Sequence, residues 1–391
     1  MVILSRLKNL FVLALASVRF IFKGRADKKI IPKKILIIQT AKMGDMVCTT
    51  PMFRAVKEKY PVAKLYVMGN ALNQELLAGN PNVDNYIICD KNFNFRDILS
   101  RIKKEKFDFA CVVAPNFLLL AIAYLASIPC IAAPVIKNGF SPYETRPYKL
   151  LRNFVIRVSH HIGSYTPLEY LRLLETVGVK SGNTQKQLFF SEGASEAIKK
   201  FFANNKISPD KNFIVCLVPS VGSKIRLWSP DRFAKITDYL YQKYGAKIIV
   251  LGGQGDIKEV EAVLDRLDKN TQVINAVNIF NIDQLKALIA KSNLFVGVET
   301  GPTFIAEAFN VPIIDIVGPL DDREQSPRGQ YFKTVKLENR KEPALHIMNA
   351  RFYDQKEARE QIDGITVPMV INALDDLIES LPNLSVRDNL F

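Results

Sequence analysis

Residues 34–51 read KILIIQTAKMGDMVCTTP, and this stretch decides how the rest of the chain is interpreted. Residues 35–38 are a continuous apolar run, typical of a strand that is buried on both faces of a parallel sheet. A turn from Thr40 to Asp45 follows, and the helical pattern after it ends near Tyr60, before Pro61. The stretch therefore predicts a strand, a tight turn and a helix at the start of a βαβ series.

The same alternation of strands and helices occurs twice along the chain. After the opening strand, the first series has predicted strands at 64–68, 86–89, 107–113 and 128–135, the last preceded by a helix at 117–127. The second series has predicted strands at 213–218, 247–251, 273–277, 294–298 and 312–317. Such alternation predicts an α/β fold with two parallel sheets and right-handed crossovers.

The predicted boundaries follow from these series. We expect an N-terminal segment at 1–32, a first domain at 33–180 and a second domain at 181–352, with a polar linker at 178–187. A helical segment at 353–391 completes the chain. Its last pattern, at 367–381, is compatible with a helix that crosses back to the first domain.

Composition excludes several classes of protein. The chain has 391 residues, of which 48% are hydrophobic and 24% charged, as in globular proteins of about two domains. Its five cysteines are scattered and form no C-x-x-C pair, which argues against a disulfide framework or a zinc site and favours a reducing, cytoplasmic compartment. With only three histidines, no metal site is predicted.

The positive charge is concentrated at the N-terminus. The formal net charge is +14, and residues 1–34 contain nine Lys or Arg against Asp27 alone. The apolar run in this segment is shorter than a membrane span and contains Arg19, so we expect a helix that lies on an anionic membrane surface. An ordinary helix packed on the domain is the alternative. The rest of the chain has too little excess positive charge to predict nucleic-acid binding.

The first candidate loop is the turn after the opening strand. Ligands of open parallel sheets lie at the carboxyl ends of strands, where loops meet helix N-termini. Met43 and Gly44 form the turn, and Asp45 follows, where its carboxylate could accept a proton from an alcohol. The alternative is that Asp45 caps the helix.

The second candidate loop, at 219–228, follows the first strand of the second series. Ser223, Lys224 and Arg226 could bind phosphates, and arginine can bind two oxygens at once. Trp228, the single tryptophan of the chain, is interpreted as a core residue that anchors the helix beginning after Ser229.

Two further loops complete the candidate site. Asp256, after the glycines at 252–253, could accept hydrogen bonds from a ribose or could cap the next helix. Glu299 precedes a turn in which the backbone N–H groups of Thr300, Gly301 and Thr303 could face an anion. Neither G-x-G-x-x-G nor G-x-x-x-x-G-K-[ST] occurs, so dinucleotide binding and P-loop phosphoryl transfer are not predicted.

Together these blocks resemble glycosyltransferase family 9, the ADP-heptose:lipopolysaccharide heptosyltransferases. The resemblance spans roughly residues 33–381. It rests on five blocks in order: 34–51, 161–178, 219–230, 251–256 and 299–306. The chain differs from the family pattern in having Arg226 for Lys, Glu299 for Asp and Phe304 for a frequent His.

The resemblance implies a GT-B fold, with two Rossmann-like domains facing a cleft, and inverting, metal-independent sugar transfer. It implies that Asp45 deprotonates the acceptor and that Met43 and Gly44 form the acceptor loop. Arg226 and the helix after Gly301, with Ser223, Lys224, Thr300 and Thr303, would bind the donor diphosphate, while Asp256 and Glu299 would bind ribose and sugar.

The implied partners are a sugar nucleotide, foremost ADP-heptose, and a lipid-linked glycan acceptor at the cytoplasmic face of the inner membrane. No further cofactor is expected. Two alternatives remain: a transferase of the same fold that uses another sugar nucleotide, and a catalytically silent scaffold at the membrane. An oxidoreductase is a distant alternative, since the dinucleotide pattern is missing.

Overall fold

The computed structural model describes residues 2–340, 342–349 and 353–381, which divide into two compact units. The first unit contains the described residues up to Gln185 together with 347–349. The second contains those from Lys186 to His346 and those from 353 onward. The boundary falls inside the polar stretch at 178–187.

A parallel sheet of six strands forms the centre of the first unit. The strands are β1 (Lys34–Ile38), β2 (Lys64–Gly69), β3 (Asn85–Ile88), β4 (Phe109–Val112), β5 (Cys130–Lys137) and β6 (Ile156–His161). They lie in the order β3-β2-β1-β4-β5-β6, and β1 pairs in parallel with both β2 and β4. This is the strand order of a Rossmann fold.

The helices of the first unit cover the sheet. They are α1 (Val2–Lys23), α2 (Met43–Lys59), α3 (Ala71–Leu77), α4 (Phe95–Glu105), α5 (Phe117–Leu125), α6 (Arg146–Leu151) and α7 (Thr166–Arg172). Residues 35–38 are at most 1% exposed, and each such side chain contributes about 2 kcal/mol of hydrophobic stabilisation. The apolar run at 117–136 forms buried α5 and most of β5, as predicted.

Helix α1 packs on the first unit and also exposes apolar side chains. Val12 and Ala16 are buried, and the ring of Phe20 stacks on Phe154 at 4.3 Å between centroids. On another side of the helix, Ile21 and Phe22 are each 78% exposed. The segment is therefore a packed helix that also presents an apolar face, and its attachment to a membrane stays a prediction. No described helix is long and apolar enough to cross a bilayer.

The second unit repeats the architecture of the first. Its strands are β7 (Ile214–Val218), β8 (Lys247–Val250), β9 (Val273–Asn275), β10 (Leu294–Val298), β11 (Ile313–Ile316) and β12 (Phe332–Val335). All pair in parallel in the order β12-β11-β10-β7-β8-β9. Helix α8 (Glu192–Asn204) precedes β7. The helices between the strands are α9 (Pro230–Tyr244), α10 (Ile257–Leu264), α11 (Ile282–Ala290), α12 (Gly301–Ala308) and α13 (Asp322–Gln325). The predicted α/β class, with two parallel sheets, is confirmed.

The C-terminal helices belong to the second unit, which corrects the expected crossing to the first domain. These are α14 (Gln355–Asp363) and α15 (Val367–Ser380). Val370, Leu374 and Leu377 are buried in the apolar core of the second unit, where α15 packs against α9 and β12. The apolar face of α15 is thus buried against the second unit itself. Residues 382–391 of the predicted segment lie outside the described part of the chain.

Candidate active site

The first candidate loop lies where the strand order of the first sheet reverses. Strand β1 lies between β2 and β4, so the loop after β1 leads to β2 on one side and the loop after β4 leads to β5 on the other. A crevice forms at such a point, and ligands of open α/β sheets bind there. The turn at 39–42 and the start of α2 follow β1 directly.

Asp45 lies in the first turn of α2, but it is not the N-cap. The N-cap is Lys42, whose side chain makes no capping hydrogen bond, so Met43, Gly44 and Asp45 occupy the first three helical positions. All three are partly exposed, and the helix dipole stabilises a negative charge at this end. The carbonyl of Asp45 accepts a hydrogen bond from Thr49 Oγ1 at 2.7 Å.

The turn before Asp45 is held by amide side chains that the sequence analysis did not identify. The carbonyl oxygen of Ala41 accepts hydrogen bonds from Asn70 Nδ2 at 3.0 Å and from Asn73 Nδ2 at 2.9 Å. Gln39 Oε1 accepts one from the Ala41 N–H at 3.2 Å. These contacts fix the path of the chain into α2 and thereby orient Asp45. We call Gln39, Asn70 and Asn73 the amide clamp.

Gly69 allows the clamp to approach the sheet. A Cβ at this position would lie 2.3 Å from the Tyr86 hydroxyl and 2.7 Å from the Gln39 carbonyl oxygen. Tyr86 in turn donates from its hydroxyl to the carbonyl of Asn70 at 2.8 Å. Since a side chain at Gly69 would collide with both, glycine is needed here for packing.

The reversal point of the second sheet lies between β7 and β10, and the second and fourth candidate loops follow these two strands. The loop after β7 contains a short 3-10 turn, Lys224–Arg226, in which Lys224 is exposed and Ser223 and Arg226 are partly exposed. Arg226 Nη1 donates to the carbonyl oxygen of Glu299 at 3.1 Å. This bond links the two loops that the sequence predicts to bind one diphosphate.

Trp228 anchors the end of the first of these loops, as predicted. Its side chain is fully buried, packs edge-on against Phe233 with ring centroids 5.0 Å apart, and donates from Nε1 to the Ile365 carbonyl at 2.9 Å. Helix α9 begins after Ser229, although the Ser229 hydroxyl donates to Asp231 Oδ2 at 3.2 Å instead of capping the backbone.

The loop after β10 differs from the predicted anion site. Thr300 is the N-cap of α12, and its N–H donates to Thr303 Oγ1 at 3.3 Å. The N–H of Thr303 donates to the carbonyl of Thr300 at 3.1 Å. Two of the three predicted backbone donors are therefore used within the turn, because Thr303 is buried beneath it. The Gly301 N–H is not one of the donors that these two bonds use.

Asp256 forms hydrogen bonds within the turn that contains it. Its Oδ2 accepts a hydrogen bond from the Gly253 N–H at 2.8 Å, and its N–H donates to the Gly253 carbonyl at 3.0 Å. It is also the N-cap of α10, and it remains partly exposed. The turn-forming interpretation thus describes the contacts of this side chain, while its partial exposure keeps it accessible to a ribose.

Comparison with known proteins assigns this arrangement to a family. The sequence profile of glycosyltransferase family 9 (heptosyltransferase) matches residues 96–351, well over half of the chain. The chain belongs to glycosyltransferase family 9. It is 22% identical over 286 residues to lipopolysaccharide heptosyltransferase 3 of Escherichia coli K12, covering 71% of this chain and 80% of that protein.

Solved structures agree on the fold. A glycosyltransferase family 9 protein from Veillonella parvula superimposes with a TM-score of 0.73 at 20% identity, over 91% of this chain and all of the other. The E. coli ADP-heptose lipopolysaccharide heptosyltransferase II gives 0.68 at 19%, over 88% and 98%. The predicted family and GT-B fold are confirmed, and the protein is a glycosyltransferase.

In this family 9 enzyme, the side chain of Glu299, which the sequence predicts to bind ribose or sugar, is buried. It is only 4% exposed, and it lies near a second buried acid, Asp315 of β11. Burial and the charge of Glu299 raise the pKa of Asp315 well above its usual range. Asp315 is the single acid inside the apolar run at 312–317 that predicts this strand.

A third group of titratable side chains could supply metal ligands. Atoms of Asp321, Glu324 and His346 that can ligate a metal all lie within 4.8 Å of one another. However, Arg323 donates to both carboxyl oxygens of Asp321 at 2.8 Å, and the two acids raise the pKa of His346 to about 9. In the described chain these contacts form an ion-pair network of two acids and two cations.

Proposed function

We propose that this enzyme transfers a heptose from ADP-heptose to a lipopolysaccharide core acceptor, with inversion at the anomeric carbon and without a metal ion. The observation that carries the proposal is the Arg226–Glu299 bond, which joins two loops at one reversal point of the second sheet. The curated relative and the solved E. coli structure, both named as lipopolysaccharide heptosyltransferases, support the substrates.

Asp45 accepts the proton in this mechanism. As its carboxylate takes the proton of the acceptor hydroxyl, the acceptor oxygen forms a bond to the anomeric carbon. The bond from that carbon to the diphosphate oxygen breaks on the opposite face, and ADP leaves with the electron pair. Because attack and departure occur on opposite faces of the anomeric carbon, this single displacement inverts its configuration. The amide clamp keeps the Asp45 turn in one conformation before the acceptor arrives.

Positive charge on the second unit stabilises the leaving diphosphate. Arg226 offers a planar guanidinium, Lys224 an exposed ammonium, and the N-terminus of α12 a partial positive charge with the Gly301 N–H. Negative charge grows on the diphosphate only as the glycosidic bond breaks, so these groups act mostly on the transition state. Asp256 would hold the ribose hydroxyls.

The test is a donor panel with a heptose-deficient lipopolysaccharide acceptor. Turnover with ADP-heptose, persistence of that turnover in EDTA, and an inverted anomeric configuration in the NMR spectrum of the product are expected. Turnover only with a UDP- or GDP-sugar would replace the donor. ADP binding without turnover on any donor would overturn the proposal in favour of a catalytically silent protein of the same fold.

We further infer that the exposed face of α1 binds the anionic membrane surface that carries the acceptor. Large apolar side chains on this face are exposed, namely Leu7, Leu10, Phe11, Leu15, Val18, Ile21 and Phe22. Exposed cations flank them, including Lys8, Lys23, Arg25, Lys28 and Lys29. Apolar burial combined with basic charge is the physical signature of peripheral attachment to anionic lipid.

Point substitutions on α1 test its attachment to the membrane better than deletion of the segment does. Removing residues 1–28 would take away buried Val12 and Ala16 and the backbone bond from Ala26 to Phe154, so it would damage the first unit. Phe11→Ser with Phe22→Ser should instead reduce binding to anionic vesicles severalfold, measured by co-sedimentation. The matched control is Val62→Ser, which changes a side chain that is 89% exposed elsewhere. Equal binding by both variants would refute the attachment.

A further inference from the structure

Asp315 is a fully buried acid in the middle of a sheet. It lies in β11, whose residues are all buried, and it is 0% exposed. Within the described residues, neither of its carboxyl oxygens has a hydrogen-bond partner. A buried ionised carboxylate without a partner is very costly, so an acid in this environment is either neutral or paired with other groups.

The strand register brings Asp315 and Glu299 to the same face of the sheet. Asp315 pairs with Gly297 of β10. Glu299 follows two residues after Gly297, and side chains two residues apart lie on one face of a strand. Gly297 contributes no side chain between them, and a Cβ there would lie 2.9 Å from the Val218 carbonyl oxygen. The two acids are thus diagonal neighbours on the sheet, and Gly297, where a side chain would not fit, lies between them.

Arg226 connects this pair to the candidate diphosphate site. Its guanidinium donates to the backbone carbonyl of Glu299, and its positive charge lowers the pKa of Asp315, against the larger effects of burial and of Glu299. Arg226 itself is partly exposed, so it remains accessible to a ligand while the two acids are buried.

We propose that Asp315 and Glu299 share a single negative charge, with the proton on Asp315, and that this pair positions Arg226 for the diphosphate of the sugar nucleotide. Asp315 donates its O–H to the carboxylate of Glu299. The pair then balances one guanidinium and leaves Arg226 able to bind an anion. Asp315 is a positioning residue, because it is buried below the site and acts through Glu299 and Arg226.

Other charged groups near Asp315 are consistent with one shared charge. Glu307 of α12 raises the pKa of Asp315, but its own carboxylate is held by Lys186 Nζ at 2.6 Å and by the Arg328 N–H at 3.0 Å. The hydroxyl of Ser326, which follows α13, lowers the pKa of Asp315 against the larger effects of burial and of Glu299. Arg226 is the cation that lowers the pKa of Asp315, so a second ionised carboxylate beside Glu299 would compete with the diphosphate for Arg226.

The inference rests on the proposed function, and its test has a readout that does not. Infrared spectroscopy of the full chain at neutral pH should show the C=O band of a protonated carboxylic acid, which disappears in Asp315→Asn. This band does not depend on any ligand. Its absence from the wild-type protein would overturn the shared charge even if the enzyme turned over ADP-heptose.

ADP affinity tests the positioning role. Asp315→Asn keeps a neutral hydrogen-bond donor and should bind ADP within about threefold of the wild type, whereas Asp315→Leu removes the donor and should weaken binding about tenfold. Arg226→Ala should weaken ADP binding in the wild type but add little in Asp315→Leu, because both changes remove the same interaction.

Two outcomes would separate the possible failures. Additive losses in the double variant, or wild-type ADP affinity in a folded Asp315→Leu protein, would overturn the action through Arg226. No ADP binding by the wild type would contradict the proposed donor, while the infrared band would still report on the acid pair. Thermal unfolding of each variant shows whether Asp315→Leu has folded, and Asp315→Asn carries the test if it has not.

Discussion

The indole N–H of Trp228 donates a hydrogen bond to the carbonyl oxygen of Ile365, 2.9 Å away and 137 residues later in the chain. Trp228 ends the loop that carries Arg226, and Ile365 lies between α14 and α15. Arg359 of α14 adds a second bond, from Nη1 to the Leu227 carbonyl at 2.9 Å. Helix α14 and the segment between α14 and α15 therefore fix the end of the candidate diphosphate loop.

Replacing Trp228 by Phe should destabilise the protein and loosen this loop. The variant loses one buried hydrogen bond and part of a buried ring, for a cost of about 1–3 kcal/mol in the free energy of unfolding. The Ile365 carbonyl keeps a second donor, Arg232 Nη1 at 2.5 Å, which limits the loss. Denaturant unfolding followed by circular dichroism measures it. An unchanged midpoint would contradict the anchoring role.

Asp45→Asn should lower kcat by about 10²–10⁴-fold and leave ADP affinity nearly unchanged, since the amide cannot accept the proton of the acceptor. The matched control is Asp97→Asn, because Asp97 also lies in the first turn of a helix, α4. If Asp45 only stabilises a helix N-terminus, both variants will lose a little stability and neither will lose turnover. Steady-state kinetics and thermal unfolding on both variants separate the two roles.

Asn73→Ala should reduce turnover, whereas a substitution of similar cost in stability elsewhere in the first unit should not. The Ala41 carbonyl loses one of its two amide donors, which costs about 1 kcal/mol of stability and allows the Asp45 turn to move. Asn94→Ala is the control: Asn94 caps α4 through its side chain, so its loss costs similar stability away from the site. A lower kcat in the Asn73 variant alone would support the clamp, whereas equal kcat values would contradict it.

The central strands could be predicted from sequence because each is a short apolar run. The strands that the prediction missed, β6 and β12, are sheet edges. Their sequences, IRVSHH and FKTV, mix polar and apolar residues, since an edge strand is covered less completely. Hydrophobic pattern therefore identifies the middle of a parallel sheet better than its borders.

Site residues close to a strand end could be predicted, but contacts distant in sequence could not. The amide clamp joins Ala41 to residues 29 and 32 positions away, and no local pattern marks such a pair. The bonds that the backbone donors of Thr300 and Thr303 make within their own turn were also not predictable, because they depend on the Thr303 side chain facing inward. Asp315 did leave a signal, namely an acid inside an apolar strand.

His346 and His160 have pKa values shifted in opposite directions, so their contributions to the stability of the fold should depend on pH in opposite ways. The carboxylates of Asp321 and Glu324, with oxygens 3.3 and 3.6 Å from Nδ1 of His346, raise its pKa to about 9. The folded protein therefore binds this proton more tightly than the unfolded chain, whose histidine pKa is about 6.5. The resulting stabilisation, at most about 3 kcal/mol, is fully present below pH 6.5 and is lost as the pH rises through 9. His346→Gln should therefore destabilise the protein at pH 6 and much less above pH 9, by denaturant unfolding.

His160 provides the internal comparison for that measurement. Burial, with smaller effects of His161 and Arg172, lowers the pKa of His160 to about 4, so the folded protein holds this ring neutral. The unfolded chain then binds the extra proton, and stability falls as the pH drops from about 6.5 towards 4. His160→Gln should flatten the acid side of the stability profile and leave the alkaline side unchanged, whereas His346→Gln should flatten the alkaline side. If both variants shifted the profile evenly across this range, the two histidines would be acting through packing and not through protonation.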